Sequence, residues 1–290
     1  MKNEKQREQV EKVLKISEER NYYAVKSNKI IQRQVYSIRE ARNDSLSLAE
    51  QKALLYIISK IKPEEEELKE QQFSIKEFYS ICGIEATTGN NYRNLKETIT
   101  KLASRVMWLT EGKTMTTVRW IDKAKIDTGN GIITIRLDPD LKPYLLMLSR
   151  NYTKIPLHDI IKMKSKYGIM LYELLRSYAY TGERIPFSIE DLKNRLDCLS
   201  YENFSNFKKK VIVPALKDIN TYSELSVDVE YYKTGRQYTD IVFLVRDLSK
   251  SKLVADVEES IRRFSNVEKE IDPNQITMFE VMYGNGEADE

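Results

Sequence analysis

The residues of this chain whose types and spacing could do chemistry are amides and cations on two short helical stretches. From Asn90 to Arg105, Leu95, Ile99, Leu102 and Val106 recur at the spacing of one helix face. At about 100° per residue, Arg93, Glu97, Thr100 and Ser104 then point the other way, flanked by Asn90, Asn94, Lys96 and Lys101. Cations donate to phosphate oxygens, an asparagine pairs with an adenine edge, and Glu97 could accept from cytosine. The stretch from Tyr201 to Val213 repeats the pattern. Phe204, Phe207 and Val211 point inward, leaving Glu202, Ser205, Asn206 and Lys209 outside with Lys208 and Lys210 beside them. Lysine is a point charge that suits phosphate better than bidentate base reading, so the lysines are assigned to positioning and Asn206 to a base edge. Lys233 and Arg236, in the turn Lys233-Thr234-Gly235-Arg236, would grip the backbone or the minor groove. The bland alternative for both stretches is a charged, solvated helix face.

Catalytic chemistry finds little support in the same inventory. A metal-dependent nicking site needs clustered histidines around a tyrosine, and the chain has only His158 beside 18 tyrosines. Gly112-Lys113-Thr114 resembles the end of a phosphate loop, but Met107 stands where the pattern requires glycine and the segment falls in a hairpin turn. Cys82 and Cys198 lack any flanking ligand pattern and read as buried thiols. No catalytic residue, metal or cofactor is therefore expected. No run reaches the roughly 18 apolar residues of a membrane span, and MKNEKQREQV lacks the apolar stretch of a secretory signal, so a cytoplasmic protein without a membrane partner is expected.

Charge favours a polyanion partner once its distribution is considered. The formal net charge of the 290 residues is only +3. Residues 251–290 hold four Lys or Arg against ten Asp or Glu, net −6, which leaves 43 against 34, net +9, on residues 1–250.

The elements that must carry these residues occur twice in the same order. Residues 3–20 are highly charged and read as a weakly amphipathic helix in an N-terminal arm spanning 1–34. From Leu48, Leu54, Ile57, Ile58 and Ile61 mark a core helix that stops before Pro63 and four glutamates. Phe73-Ser74-Ile75-Lys76-Glu77 has the spacing of a capping box and starts a second helix that ends near Gly83. The Asn90 helix follows, then alternating strands at Val106 to Leu109, Val118 to Ile121 and Ile133 to Leu137. After a connection from Asp138 to Pro156 with a short helix near Tyr144, the order recurs. Leu171, Leu174, Leu175 and Tyr178 form the first stripe, and Phe187-Ser188-Ile189-Glu190-Asp191 echoes the earlier capped start. The third helix is expected to kink or end at Pro214, and a hairpin pairs Leu225 to Tyr231 with Ile241 to Val245.

Three helices and a hairpin, twice, is an α+β fold of two tandem winged-helix domains, in which the third helix enters the major groove. The boundaries expected are 35–150 for the first domain, 151–250 for the second and 251–290 for an acidic tail. In the tail, a helix from Leu253 to about Lys269 stops at Asp272-Pro273, and Gln275-Ile276-Thr277-Met278-Phe279 follows in an extended stretch. It resembles the peptide by which bacterial polymerases dock on the sliding clamp, with Gln275 anchoring by its amide, Met278 and Phe279 filling a pocket and Ile276 assisting.

Ala24-Val25-Lys26-Ser27-Asn28 with the Leu48 helix resembles the opening of theta-type plasmid initiator Rep proteins, the Rep_3 family. So do Tyr172-Glu173-Leu174-Leu175, Val213-Pro214-Ala215-Leu216-Lys217-Asp218-Ile219-Asn220 and the later Gly235-Arg236. The resemblance covers about residues 24–247. It implies a protein that binds repeated sites in origin double-stranded DNA, assists opening and recruits host replication proteins. It also implies a monomer–dimer balance in which the first module supplies much of the dimer contact, and the apolar hairpin around Val118, Trp120 and Ile121 is the expected edge. The alternative is a winged-helix transcriptional regulator with no replication role.

Overall fold

The computed structural model describes residues 23–33, 46–82, 91–111 and 113–249. The chain opens on β1 (Tyr23–Ser27) and α1 (Asn28–Arg33). The first module contains α2 (Leu48–Ser59), β2 (Gln71–Ser74), α3 (Ile75–Cys82), α4 (Asn91–Ser104), β3 (Val106–Glu111), β4 (Thr114–Arg119), β5 (Ile121–Asp127) and β6 (Ile132–Leu137). A connection with α5 (Lys142–Leu145), β7 (Tyr152–Pro156) and α6 (Leu157–Ile161) leads to the second. That module holds α7 (Lys166–Ser177), β8 (Arg184–Ser188), α8 (Ile189–Arg195), α9 (Phe204–Phe207), a π-helical turn (Lys208–Ile212), α10 (Val213–Tyr222), β9 (Leu225–Thr234) and β10 (Gln237–Asp247).

The duplication runs deeper than helices and hairpins. Each module has a three-stranded sheet, β2-β6-β5 in one and β8-β10-β9 in the other, whose first strand runs directly into the second helix. This explains the echoed Phe-Ser-Ile. Phe73 pairs with Ile133 and Phe187 with Ile241, both phenylalanines are buried, and the next two residues turn from strand to helix. Ser188 accepts from the Asp191 amide at 3.1 Å, as its spacing predicts. In the first module Glu77 pairs with Lys60 at 3.4 Å, and a reciprocal capping box stands one helix earlier, between Ser47 and Glu50.

The first module has four strands after its third helix where three are expected, and they form two hairpins. β3 pairs with β4 as a separate ribbon, from Val106 opposite Arg119 to Glu111 opposite Thr114. β5 and β6 turn at Asp127, whose carboxylate accepts from the amides of Gly129 and Asn130, both at 3.1 Å. Val118, Trp120 and Ile121 are buried in the core. The self-association edge expected from them is therefore corrected: these side chains already pack inside the module.

Residues 23–33, the only described part of the expected arm, are strand and helix packed on the second module. β1 pairs antiparallel with β7, with Lys26 opposite Thr153. Lys26 reaches Glu173 on α7 at 2.7 Å, and the two side chains are 1% and 5% exposed. The Asn28 amide donates to the Ser177 carbonyl at 3.2 Å and its oxygen accepts from Thr153 at 2.6 Å. Two of the stretches that carry the family resemblance are thus joined by a buried ion pair, in which each charge offsets part of the other's desolvation.

The third stretch secures the second module. Asp218 accepts from the amides of Lys164 and Ser165, at 2.7 and 2.6 Å, at the start of α7. A Cβ on Gly168 would lie 3.0 Å from Asp218, so glycine is what lets α10 approach α7 there. Asn220 bonds both the amide and the carbonyl of Val227, at 2.7 and 2.9 Å, and so fastens α10 to β9. Helix α2 is buried almost throughout because both modules cover it. Its Lys52 donates to the Ile161 carbonyl at 2.6 Å, and burial lowers its pKa to about 8.

Candidate nucleic-acid interface

The second module's outward helix face starts at a capped end. Asn203 accepts from the Ser205 amide at 2.8 Å and α9 begins at Phe204. Phe207 and Val211 are buried, as expected, and Glu202, Ser205, Asn206, Lys208, Lys209 and Lys210 are exposed. The helix does not end at Pro214. Proline lacks the amide proton, and its ring collides with the carbonyl four residues back in a regular helix. The π turn before it widens the spiral, the Val213 amide reaches the Lys208 carbonyl, and the helix continues to Tyr222.

The hairpin beside this helix is tied to it by aromatic rings. Phe204 stacks on Tyr238 of β10 with centroids 4.0 Å apart and planes at 19°, and meets Tyr231 of β9 edge-on at 5.3 Å. The Lys208 ammonium lies 4.6 Å from the Tyr231 ring centre and that of Lys233 lies 4.5 Å from Tyr238. Two of the cations assigned to phosphate contact are thereby aimed from a fixed platform. Gly235, at φ 63°, opens the two-residue tip that carries exposed Arg236. Nearer the base of the wing, Arg184 pairs with Glu230 at 2.7 Å, and its hydrogen bond holds that carboxyl below the usual value; Arg246 pairs with Asp228 at 3.2 Å. These arginines are neutralised locally. Among the described residues, Lys208, Lys209, Lys210, Lys233 and Arg236 form no ion pair.

The first module's face is less available. On α4, Leu95, Ile99 and Leu102 are buried while Arg93, Lys96 and Lys101 are exposed and Asn94 is half-buried. Arg93 is engaged by Glu97 at 3.1 Å, one turn along. Asn90 lies outside the described residues, as do Gln275, Ile276, Met278 and Phe279 of the tail and the helix expected from Leu253. Composition and spacing missed the residues that join wing to helix. Spacing places Phe204 on the inward face and Tyr231 in the alternating hairpin but pairs neither with Tyr238; the available signal is a tyrosine on each side of the Gly235 turn, where a wing tip is otherwise polar.

Both cysteines are buried, and burial pushes both thiols up, Cys198 to about 12. Among the described residues no group of His, Cys, Asp or Glu could hold a metal ion, and no helix is long and apolar enough to cross a membrane.

Comparison with known proteins agrees with this architecture. Residues 8–176 match the family described as Initiator Replication protein, WH1, and residues 188–245 match Initiator Rep protein, WH2. A replication initiation protein of Escherichia coli is 26% identical over 147 residues, 49% of this chain and 45% of that protein, so the match spans under half of the relative's length. The Pi initiator protein, solved in complex with iteron DNA, is similar in fold with a TM-score of 0.62 at 18% identity, over 78% of this chain and 98% of that one. Domains 2 and 3 of RctB give a TM-score of 0.47 at 11% identity, over 77% and 99%. With both modules matched in order and more than half of the chain covered by the first match alone, the chain belongs to the Rep_3 family of replication initiators.

Proposed function

We propose that this chain is a plasmid initiator that binds repeated double-stranded sites at its origin, assists opening of the duplex and recruits host replication proteins. The observation that carries the reading is the second module's surface. An exposed amide and three exposed lysines lie on a capped helix, beside a wing held in place by the Phe204–Tyr238 stack. A helix of this kind fills the major groove while the wing lies over the flanking backbone. In this reading Asn206 reads a base edge, Ser205, Lys208, Lys209 and Lys210 hold phosphates, and Lys233 and Arg236 grip the flank. The Pi initiator, of similar fold, was solved in complex with iteron DNA, which favours repeats as the target.

The first module adds backbone contacts through Lys96 and Lys101 and supports a monomer–dimer equilibrium through a surface other than Val118, Trp120 and Ile121. The acidic tail docks a host protein, the sliding clamp being the partner that Gln275, Ile276, Met278 and Phe279 would fit. A replicon whose only origin is the DNA flanking this gene tests the function. Wild-type protein is expected to maintain it and the double variant Asn206→Ala, Lys209→Ala to lose it; maintenance by a chain lacking residues 188–245 would overturn the proposal.

A further inference from the structure

Among the exposed residues of the second module's helix with no role in the interface described above, Val213 is the apolar one. Val213 is 50% exposed. It stands in line with Ser205, Lys209 and Lys217, spaced four apart and all exposed. In a regular helix of 3.6 residues per turn, positions four apart drift steadily round the axis. The π turn over Lys208–Ile212, at roughly 4.4 residues per turn, offsets that drift and keeps Val213 on the outer line. The same turn buries two consecutive residues, Val211 and Ile212, each 0% exposed, so Val213 is the first side chain beyond them to face out.

A lone exposed apolar side chain is ordinary on a protein surface. This one is β-branched and stiff about its first torsion, and it lies between two lysines on the helix that carries Asn206. Its neighbours suit phosphates, whereas valine can neither donate nor accept. The apolar feature that a base pair offers in the major groove is the 5-methyl group of thymine.

We propose that Val213 is a specificity-determining residue that packs against the 5-methyl group of a thymine in the recognised repeat. The inference rests on the second-module helix entering the major groove, and the test separates the two. Full-length protein is titrated onto one repeat from the DNA flanking its gene, and onto duplexes in which each thymine in turn is replaced by deoxyuridine, which lacks only the methyl. Removing the methyl is expected to weaken wild-type binding about threefold to tenfold at one or two positions. Val213→Ala is expected to bind the unmodified repeat more weakly by the same factor and to be indifferent to the methyl there. Its unfolding midpoint, measured alongside, separates a lost contact from a lost fold. Independent losses from the two changes, or no sensitivity to any methyl while wild type still prefers the repeat over an unrelated duplex, would overturn the inference and leave the groove reading standing. Absence of any preference for the repeat in wild type would remove both.

Discussion

Asn206 and Lys209 lie on one exposed helix face yet are assigned different work, and the difference is measurable. An amide that pairs with a base edge discriminates between sequences, whereas an ammonium beside a phosphate does not. Asn206→Ala is expected to cost about 1 to 3 kcal/mol on the cognate repeat and little on random DNA. Equal losses on the two DNAs would move Asn206 into the positioning set. Most exposed positions of this face were legible in the sequence, because Phe207 and Val211 fix which side of a helix is dry. The engagement of Arg93 by Glu97 was not, since a residue four along is only a potential partner until the rotamers are known. Lys52 was equally hidden, because lysine in an apolar run gives no sign that two modules will cover it. Its pKa, lowered from 10.5 to about 8 by burial, has a consequence for stability. Between those values the unfolded chain binds more protons than the folded one, so stability rises with pH across that window. Relative to Lys52→Met, wild type is expected to gain roughly 3 kcal/mol between pH 7.5 and 10.5 in denaturant unfolding. Parallel curves for the two proteins would contradict it.

At the scale of elements, the helix and the wing act as one device because Phe204 and Tyr238 join them. An aromatic pair adds about 0.5 to 1.5 kcal/mol beyond its buried area. Tyr238→Ala is expected to free the wing and displace Lys233, weakening binding to cognate and random DNA alike; Tyr238→Phe keeps the ring and should behave as wild type. A phenylalanine variant as weak as the alanine one would show that the hydroxyl, not the stack, matters. Helices with long apolar stripes, such as α2 and α7, are legible from their periodicity. The short strands β1, β2 and β8 are not legible, for a physical reason: each pairs with a strand distant in the chain, β1 with β7 across some 125 residues, and four or five residues hold too little alternation to announce a partner. Pro214 was legible as a disturbance but not as a π turn, since proline states only that the regular ladder fails, and burial of Val211 and Ile212 decides how the chain absorbs it.

On the scale of the whole molecule, the basic surface of residues 1–250 predicts strong dependence on salt. If both modules touch DNA through roughly 6 to 10 phosphates, affinity should fall about 10³- to 10⁵-fold between 50 and 200 mM salt, with Lys209→Ala lowering the slope by about one contact. An affinity indifferent to salt would show that this surface does not bind phosphates. The order of two repeated modules was legible from the echo of Phe73-Ser74-Ile75 in Phe187-Ser188-Ile189, whereas the way residues 23–33 pack on the second module was not, because Lys26 reads in sequence as one more surface cation. The central claim is that the two modules read repeated DNA sites, and footprinting on the DNA flanking the chain's own gene tests it most directly. The account predicts several protected segments of related sequence in the same orientation, each lost together in Asn206→Ala, Lys209→Ala. A single protected operator at the promoter with no repeats, or protection that ignores those substitutions, would contradict it.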